Sequence, residues 1–382
     1  EMHFVAALDK EPGMRAVLGL FEGVVTGAAD GYARMAGKPA CTLLHLGPGL
    51  ANGLANLHNA RPARSPILNL LGEHATYHRK LDAPLTSDIN GFASPVSGWI
   101  RVSESADAVA GDAAAAVQAA LLPPGQIATL ILPADTAWNP AQRIATPLPV
   151  PGLTPADPNA IEAVIAALRS GEPCTLLLNG LGVSEAGLAL ASRISQQCGA
   201  RLFGDTFISR IPRGAGRVDL PRVPYFAEQA EEALAGTRHL ILVDTKAPVS
   251  FFAYPGRASE LAPKDCVIHR LTAPGEDTLH ALAAVAEGVG AQDRTPAFGG
   301  LVRPALPRGA LNPASIAQAL GALLPEQAIL VNEAATSGFA LPAMAAQGPP
   351  HAGPRPARRG AAGGRQRDVY DPVALDHGAG AV

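Results

Sequence analysis

Apolar residues fall along this chain in short continuous runs, separated by longer stretches at helical spacing. Ala40–Leu46, Ile67–Leu71 and Ile127–Leu132 are candidate strands. Glu22–Met35, Leu50–Ala60 and the alanine-rich Ala106–Leu121 are candidate helices. Continuous rather than alternating apolar runs mark strands buried on both faces, so the pattern predicts an α/β fold with a parallel sheet covered by helices. The same pattern returns further on. Asn159–Leu168 is a helix, Cys174–Leu178 a strand, Glu185–Gln197 a helix and His239–Val243 a strand. A third stretch opens with a helix over Pro313–Leu324 and a strand over Ala328–Val331. Val17–Leu20 adds a short strand-like run just before Glu22.

Proline marks the divisions. Pro147, Pro149, Pro151, Pro155 and Pro158 crowd one short stretch, as in a stiff linker. A second proline- and glycine-rich stretch covers Thr295–Pro313. The expected organisation is three successive doubly wound units over 1–145, 155–295 and 311–350. The remaining stretch, 351–382, has five arginines, six glycines and little apolar periodicity, and is expected to be disordered.

Composition narrows the function. The chain has 382 residues, 48% apolar and 16% charged, with a net charge of −3. The charged fraction is well below the globular norm of about 25%, and no basic stripe marks a nucleic-acid partner. The four cysteines are far apart with no CxxC pair. That spacing excludes a disulfide scaffold and a cysteine zinc site, and fits the reducing cytoplasm. No run of about 18 apolar residues predicts a membrane span.

Three places carry candidate chemistry. Asn179-Gly-Leu-Gly182 follows a strand like a dinucleotide loop, but Glu185 stands where the third glycine of GxGxxG would fall. A structural turn is the favoured reading there. His74 and His78 are four apart with no third ligand at useful spacing, so no metal site is expected. Glu22 sits between an apolar run and a helix of small residues. By pattern alone it is a helix-start carboxylate, favoured by the helix dipole, or a catalytic group.

The residues around Glu22 add to this. Phe21-Glu-Gly-Val-Val-Thr-Gly-Ala-Ala-Asp-Gly-Tyr-Ala-Arg34, then Gly37-Lys-Pro39, then Gly47-Pro-Gly-Leu-Ala-Asn52, resembles the pyrimidine-binding domain of thiamine diphosphate enzymes. The nearest group is the acetolactate synthase large subunits, together with benzoylformate-type decarboxylases. The resemblance continues more weakly to Asn332-Glu-Ala-Ala-Thr-Ser337, covering roughly residues 1–350. It implies pyrimidine-binding, central Rossmann-like and diphosphate-binding domains, the last truncated here.

It also implies roles. Glu22 would bond the cofactor's aminopyrimidine and favour the imino form that removes the thiazolium C2 proton, giving the ylid. Gly47, Pro48, Gly49, Asn52, Thr336 and Ser337 would bind the cofactor. The substrate would be a small 2-oxo acid, decarboxylated and either carboligated, as in acetolactate synthesis, or released as an aldehyde. Leu44-His45-Leu46 resembles the segment in which benzoylformate-type enzymes carry a proton-handling histidine. A strand-end histidine with no chemical role remains the alternative. Thiamine diphosphate and Mg2+ are the implied cofactors, with no support for FAD, and a homodimer or homotetramer is the implied assembly.

Both ends depart from that pattern. The helix at Glu1 is expected to follow a strand and a Pro-Gly turn that this sequence does not contain. The Gly-Asp-Gly run and later Asn that hold magnesium are not found after Ser337 either. Residues 365–382, back-translated with GC-rich codons, read in a second frame as a stretch containing Asp-Gly-Ser. The expectation is therefore a frame-shifted tail, with impaired or absent turnover.

Overall fold

A computed structural model describes residues 1–341 other than 326, 335 and 339. Expectations placed on 342–382, including the frame-shifted tail, lie outside the described residues.

The first half contains α1 (Met2–Leu8), α2 (Glu22–Ala36), β1 (Ala40–His45), α3 (Leu46–Ala60), β2 (Ile67–Glu73), α4 (Ile89–Ala93), β3 (Trp99–Val102), α5 (Ala106–Leu121), β4 (Ile127–Pro133) and α6 (Ala134–Trp138). Its strands form one sheet in the order β1-β2-β4-β3, every pair parallel. The small-residue helices α2 and α3 cover one face, packing on Leu44, Ile67, Leu71, Ile127 and Ile131. The alanine-rich α5 covers the other through Ala116, Ala119 and Ala120, against Leu68, Leu70 and Leu130. Both faces of β2 and β4 are therefore buried, the reason their sequences are almost wholly apolar, interrupted only at Asn69 and Thr129, which hydrogen-bond each other at 3.3 Å.

The second half contains α7 (Pro158–Arg169), β5 (Cys174–Leu178), α8 (Glu185–Cys198), β6 (Arg201–Gly204), α9 (Ala227–Leu234), β7 (His239–Val243), β8 (Val267–Thr272) and α10 (Thr278–Gly288). Its sheet is also all parallel, in the order β6-β5-β7-β8. The proline-rich stretch 139–157 between the two sheets has no helix or named strand. Beyond the second sheet, α11 (Pro313–Leu323) opens with Pro313 in its first turn and a capping box between Asn312 and Ser315.

Several expectations change. Val17–Leu20 is not a strand: no strand among the described residues borders it, and Leu18 and Leu20 are 88% and 95% exposed. Gly47-Pro-Gly49 is not a separate turn but the first turn of α3. The chain bends from β1 into that helix at Leu46, which takes a left-handed φ of 49°. Ala328–Val331 forms no strand, and Ile329, Leu330 and Val331 are exposed. Asn179–Gly182 leads into a single 3-10 turn over Gly180–Val183. No described helix is long and apolar enough to cross a membrane.

Candidate active site

Glu22 is the first residue of α2, where its carboxylate meets the positive end of the helix dipole. Two contacts seat this helix against α3. Thr26 donates its hydroxyl to the Gly53 carbonyl at 3.0 Å, and Asn56 donates its amide to the Gly23 carbonyl at 2.6 Å. Gly53 admits Thr26, because a Cβ there would come within 2.8 Å of the threonine methyl. Small residues thus let two helices approach closely enough for polar side chains to bridge them.

The consequence is local and chemical. Asn52, one turn into α3, donates its side-chain amide to Glu22 Oε2 at 3.1 Å. Glu22 Oε1 receives no hydrogen bond among the described residues. It looks onto the space that a Cβ at Gly49 would fill, 3.7 Å away. A half-buried carboxylate, steadied on one oxygen and open on the other beside a missing side chain, is an acceptor for an N–H group of a flat ring. The aminopyrimidine of thiamine diphosphate has that chemistry, and these residues fit it.

His45 ends β1, directly before α3, and is exposed. Its Nδ1 is 2.8 Å from Glu1 Oε1. Gly72 is its parallel neighbour in β2, and a Cβ at Gly72 would collide with the Glu1 carboxylate. The glycine therefore makes room for the acid that orients the histidine. Glu1 and Gly72 were not singled out from the sequence. A glycine closing a run of buried strand residues was the available signal.

Of the remaining expected residues, Gly47 is buried against Ser87, and Pro48 is exposed in the first turn of α3. Thr336 and Ser337 lie in an exposed turn that Asn332 ties to Gly338. No hydrogen bond among the described residues joins them to Glu22, Asn52 or His45. His74 and His78 pack ring against ring with centroids 5.4 Å apart. Among the described residues, no group of three or more histidines, cysteines or carboxylates could hold a metal ion.

Electrostatics along the same sheet edge are settled by hydrogen bonds. Burial pushes the Asp135 carboxyl up, but bonds from the Thr76 hydroxyl and amide, at 2.6 and 2.9 Å, outweigh it and hold the group below the ordinary aspartate range.

Comparison with known proteins places the chain by sequence and fold. Residues 1–94 match the family described as thiamine pyrophosphate enzyme, N-terminal TPP binding domain. A Mycobacterium tuberculosis protein named "Putative acetolactate synthase large subunit IlvX" is 52% identical over 351 residues, which is 92% of this chain and 67% of that protein. Benzoylformate decarboxylase of Pseudomonas aeruginosa is 34% identical over 128 residues, 33% of this chain and 24% of its own length. Among solved structures, a thiamine diphosphate-dependent 4-hydroxybenzoylformate decarboxylase of Rhodococcus jostii RHA1 superposes with a TM-score of 0.72 at 21% identity, covering 90% of this chain and 68% of that one. Benzoylformate decarboxylase of Polynucleobacter necessarius gives 0.66 at 17% identity, over 86% and 64% of the two chains. These superpositions show a shared fold. With a relative 52% identical over two thirds of its length and a cofactor-domain match that spans Glu22, the chain belongs to the thiamine diphosphate enzyme family, among its acetolactate synthase large-subunit-like members.

Proposed function

We propose that this chain serves thiamine diphosphate-dependent decarboxylation of a small 2-oxo acid, followed by carboligation as in acetolactate synthases. The observation that carries the reading is the Glu22 carboxylate, with Asn52 on one oxygen and the Gly49 gap beside the other. The cofactor supplies a nucleophilic carbon and an electron sink for the carboxylate that leaves as CO2. Glu22 would hold the pyrimidine ring by sharing a proton with its ring nitrogen, which favours the imino form, and Asn52 would keep that carboxyl group in one orientation. Mg2+ and the diphosphate belong to the third unit, with Thr336 and Ser337 on that side. A homo-oligomer completes the site.

A second reading has its own observation. His45, with Nδ1 engaged by Glu1, keeps Nε2 without a hydrogen bond among the described residues, available to a substrate. That favours release of the aldehyde, as in benzoylformate-type decarboxylases, and the similarity to the Pseudomonas aeruginosa enzyme covers this half of the chain.

Titration calorimetry with thiamine diphosphate and Mg2+, followed by assays with pyruvate and with benzoylformate, tests both. Cofactor binding with acetolactate formed from pyruvate supports the first reading, and benzaldehyde formed from benzoylformate supports the second. No cofactor binding overturns both.

A further inference from the structure

In the second sheet the chain runs from β5 out to β6, then back past β5 to β7 and β8. Connections leave β5 and β7 in opposite directions, and the crevice between their carboxyl ends is where open α/β sheets take up ligands. Here the chain's own residues fill it. Asp244, just after β7, is 3% exposed and accepts the Leu181 amide on Oδ2 at 2.8 Å. Gly180 lies against the same carboxylate, and a Cβ there would collide with it. The other oxygen, Oδ1, receives Arg64 Nη1 at 2.5 Å, and Arg64 belongs to the first half of the chain. Arg64 Nη2 also donates to the Asp244 carbonyl, at 3.4 Å.

Gly180, Asp244 and Arg64 all have left-handed backbones, with φ of 49°, 53° and 57°. Two of the three carry side chains, so the fold accepts strain at both ends of one ion pair. Such strain persists where the surroundings over-determine it, and it gathers at functional places.

The pair is one link of a closed ring. The residue after Arg64 is Ser65, which donates its hydroxyl to Asp30 Oδ1. Asp30 lies on α2, two turns beyond Glu22, and is 8% exposed. Arg34 grips it on both oxygens, at 2.7 Å from Nε and 2.6 Å from Nη2. Arg34 then crosses back, donating to the Ser209 carbonyl at 3.3 Å. Arg210 closes the return by donating to the carbonyls of Arg34 and Met35, both at 3.2 Å.

We propose that Asp30, Arg34, Arg64 and Asp244 are positioning residues, forming a two-point clamp by which the second sheet holds the helix that presents Glu22. The crevice of that sheet then serves as a socket for Arg64 rather than as a nucleotide site. The clamp acts on α2 as a whole. Arg34 anchors its last turn to the second half of the chain, Asp30 ties its middle to the turn after α3, and Asp244 pins that turn. Glu22, at the free amino end, inherits a fixed position. Only the purpose of the clamp rests on the function proposed above, because the clamp itself is a contact between the two halves.

Hydrogen–deuterium exchange on the 382-residue chain, without cofactor, tests it. The peptide over residues 22–30 reports on α2, and the buried strand β5 serves as internal reference. Arg64→Met and Asp244→Asn should each speed exchange in residues 22–30 about tenfold relative to β5. The double variant should do no more than either single one, because both break the same link. Arg64→Lys keeps a cation on Asp244 and should restore most of the protection, which also keeps the test usable if a single variant folds poorly. Faster exchange confined to residues 61–65 and 240–245 would make the pair a local contact and overturn the clamp. So would additive effects in the double variant, or no rescue by lysine. Because no cofactor enters the measurement, its failure leaves the thiamine diphosphate reading standing, and failure of cofactor binding leaves the clamp standing.

Discussion

Asn52 donates its side-chain amide to Glu22 Oε2 at 3.1 Å, joining the first residue of α2 to the second turn of α3 across thirty positions of sequence. This bond holds one carboxylate oxygen and leaves the other without a hydrogen bond among the described residues.

Glu22→Gln keeps the size of the side chain and removes the charge. Folding should be retained, while turnover of a 2-oxo acid falls by about 10²-fold or more, the scale of general acid–base contributions. Circular dichroism and a decarboxylation assay together check it. Unchanged turnover removes Glu22 from the chemistry.

His45→Ala should damage aldehyde release far more than cofactor affinity, since the ring lies beside Glu1 and is not bonded to Glu22 or Asn52. Measuring affinity by calorimetry and product by chromatography separates the two. If release persists at the parent level on every 2-oxo acid tried, the histidine is structural.

Gly47→Ala would set a Cβ against the Cβ and hydroxyl of Ser87, with a Phe92 ring carbon 3.3 Å away. Neither the serine nor the helix can retreat without moving backbone, so a stability loss of about 1–3 kcal/mol is expected. Urea denaturation measures it, and an unchanged midpoint would show that the segment around Ser87 yields freely.

Arg64→Met should show its cost at neutral rather than acid pH. Burial pushes the Asp244 carboxyl above the ordinary aspartate range, with the Leu181 amide and Arg64 pulling it partly back. Without Arg64 the folded-state pKa rises further. An acid whose folded-state pKa is raised stabilises the fold below its unfolded pKa, and that contribution is lost as pH climbs through the folded value. The variant's deficit against the parent should therefore be small near pH 3 and reach about 3 kcal/mol at pH 7, the scale of an orphaned buried charge. Denaturation midpoints at the two pH values decide it, and a deficit independent of pH would contradict the assignment.

How much of this was legible beforehand depends on where each strand lies. β2, β4, β5 and β7 are central and buried on both faces, and their mostly apolar runs declare them, as does the apolar run of the edge strand β1. Trp99–Val102, Arg201–Gly204 and Val267–Thr272 are edge strands that mix arginine or histidine with apolar residues, and no apolar run marks them in the sequence. Val17–Leu20 is the reverse case: apolar enough for a strand, but without a bordering strand to pair with. Apolar content reports burial, and only a neighbouring strand supplies the hydrogen bonds that make a run into a sheet.

The candidate site divides in the same way. Glu22, His45, Gly49 and Asn52 stand within thirty-one residues of one another, and the sequence singled them out through a family resemblance; the structure joins Asn52 to Glu22 and sets His45 against Glu1 instead. Glu1 on His45 is a contact over 44 positions, and Arg64 on Asp244 one over 180. No local pattern encodes either. Which arginine meets which aspartate is decided by how two separately wound sheets lie against each other, because an ion pair in a closed crevice forms only when both backbones have already placed its partners there.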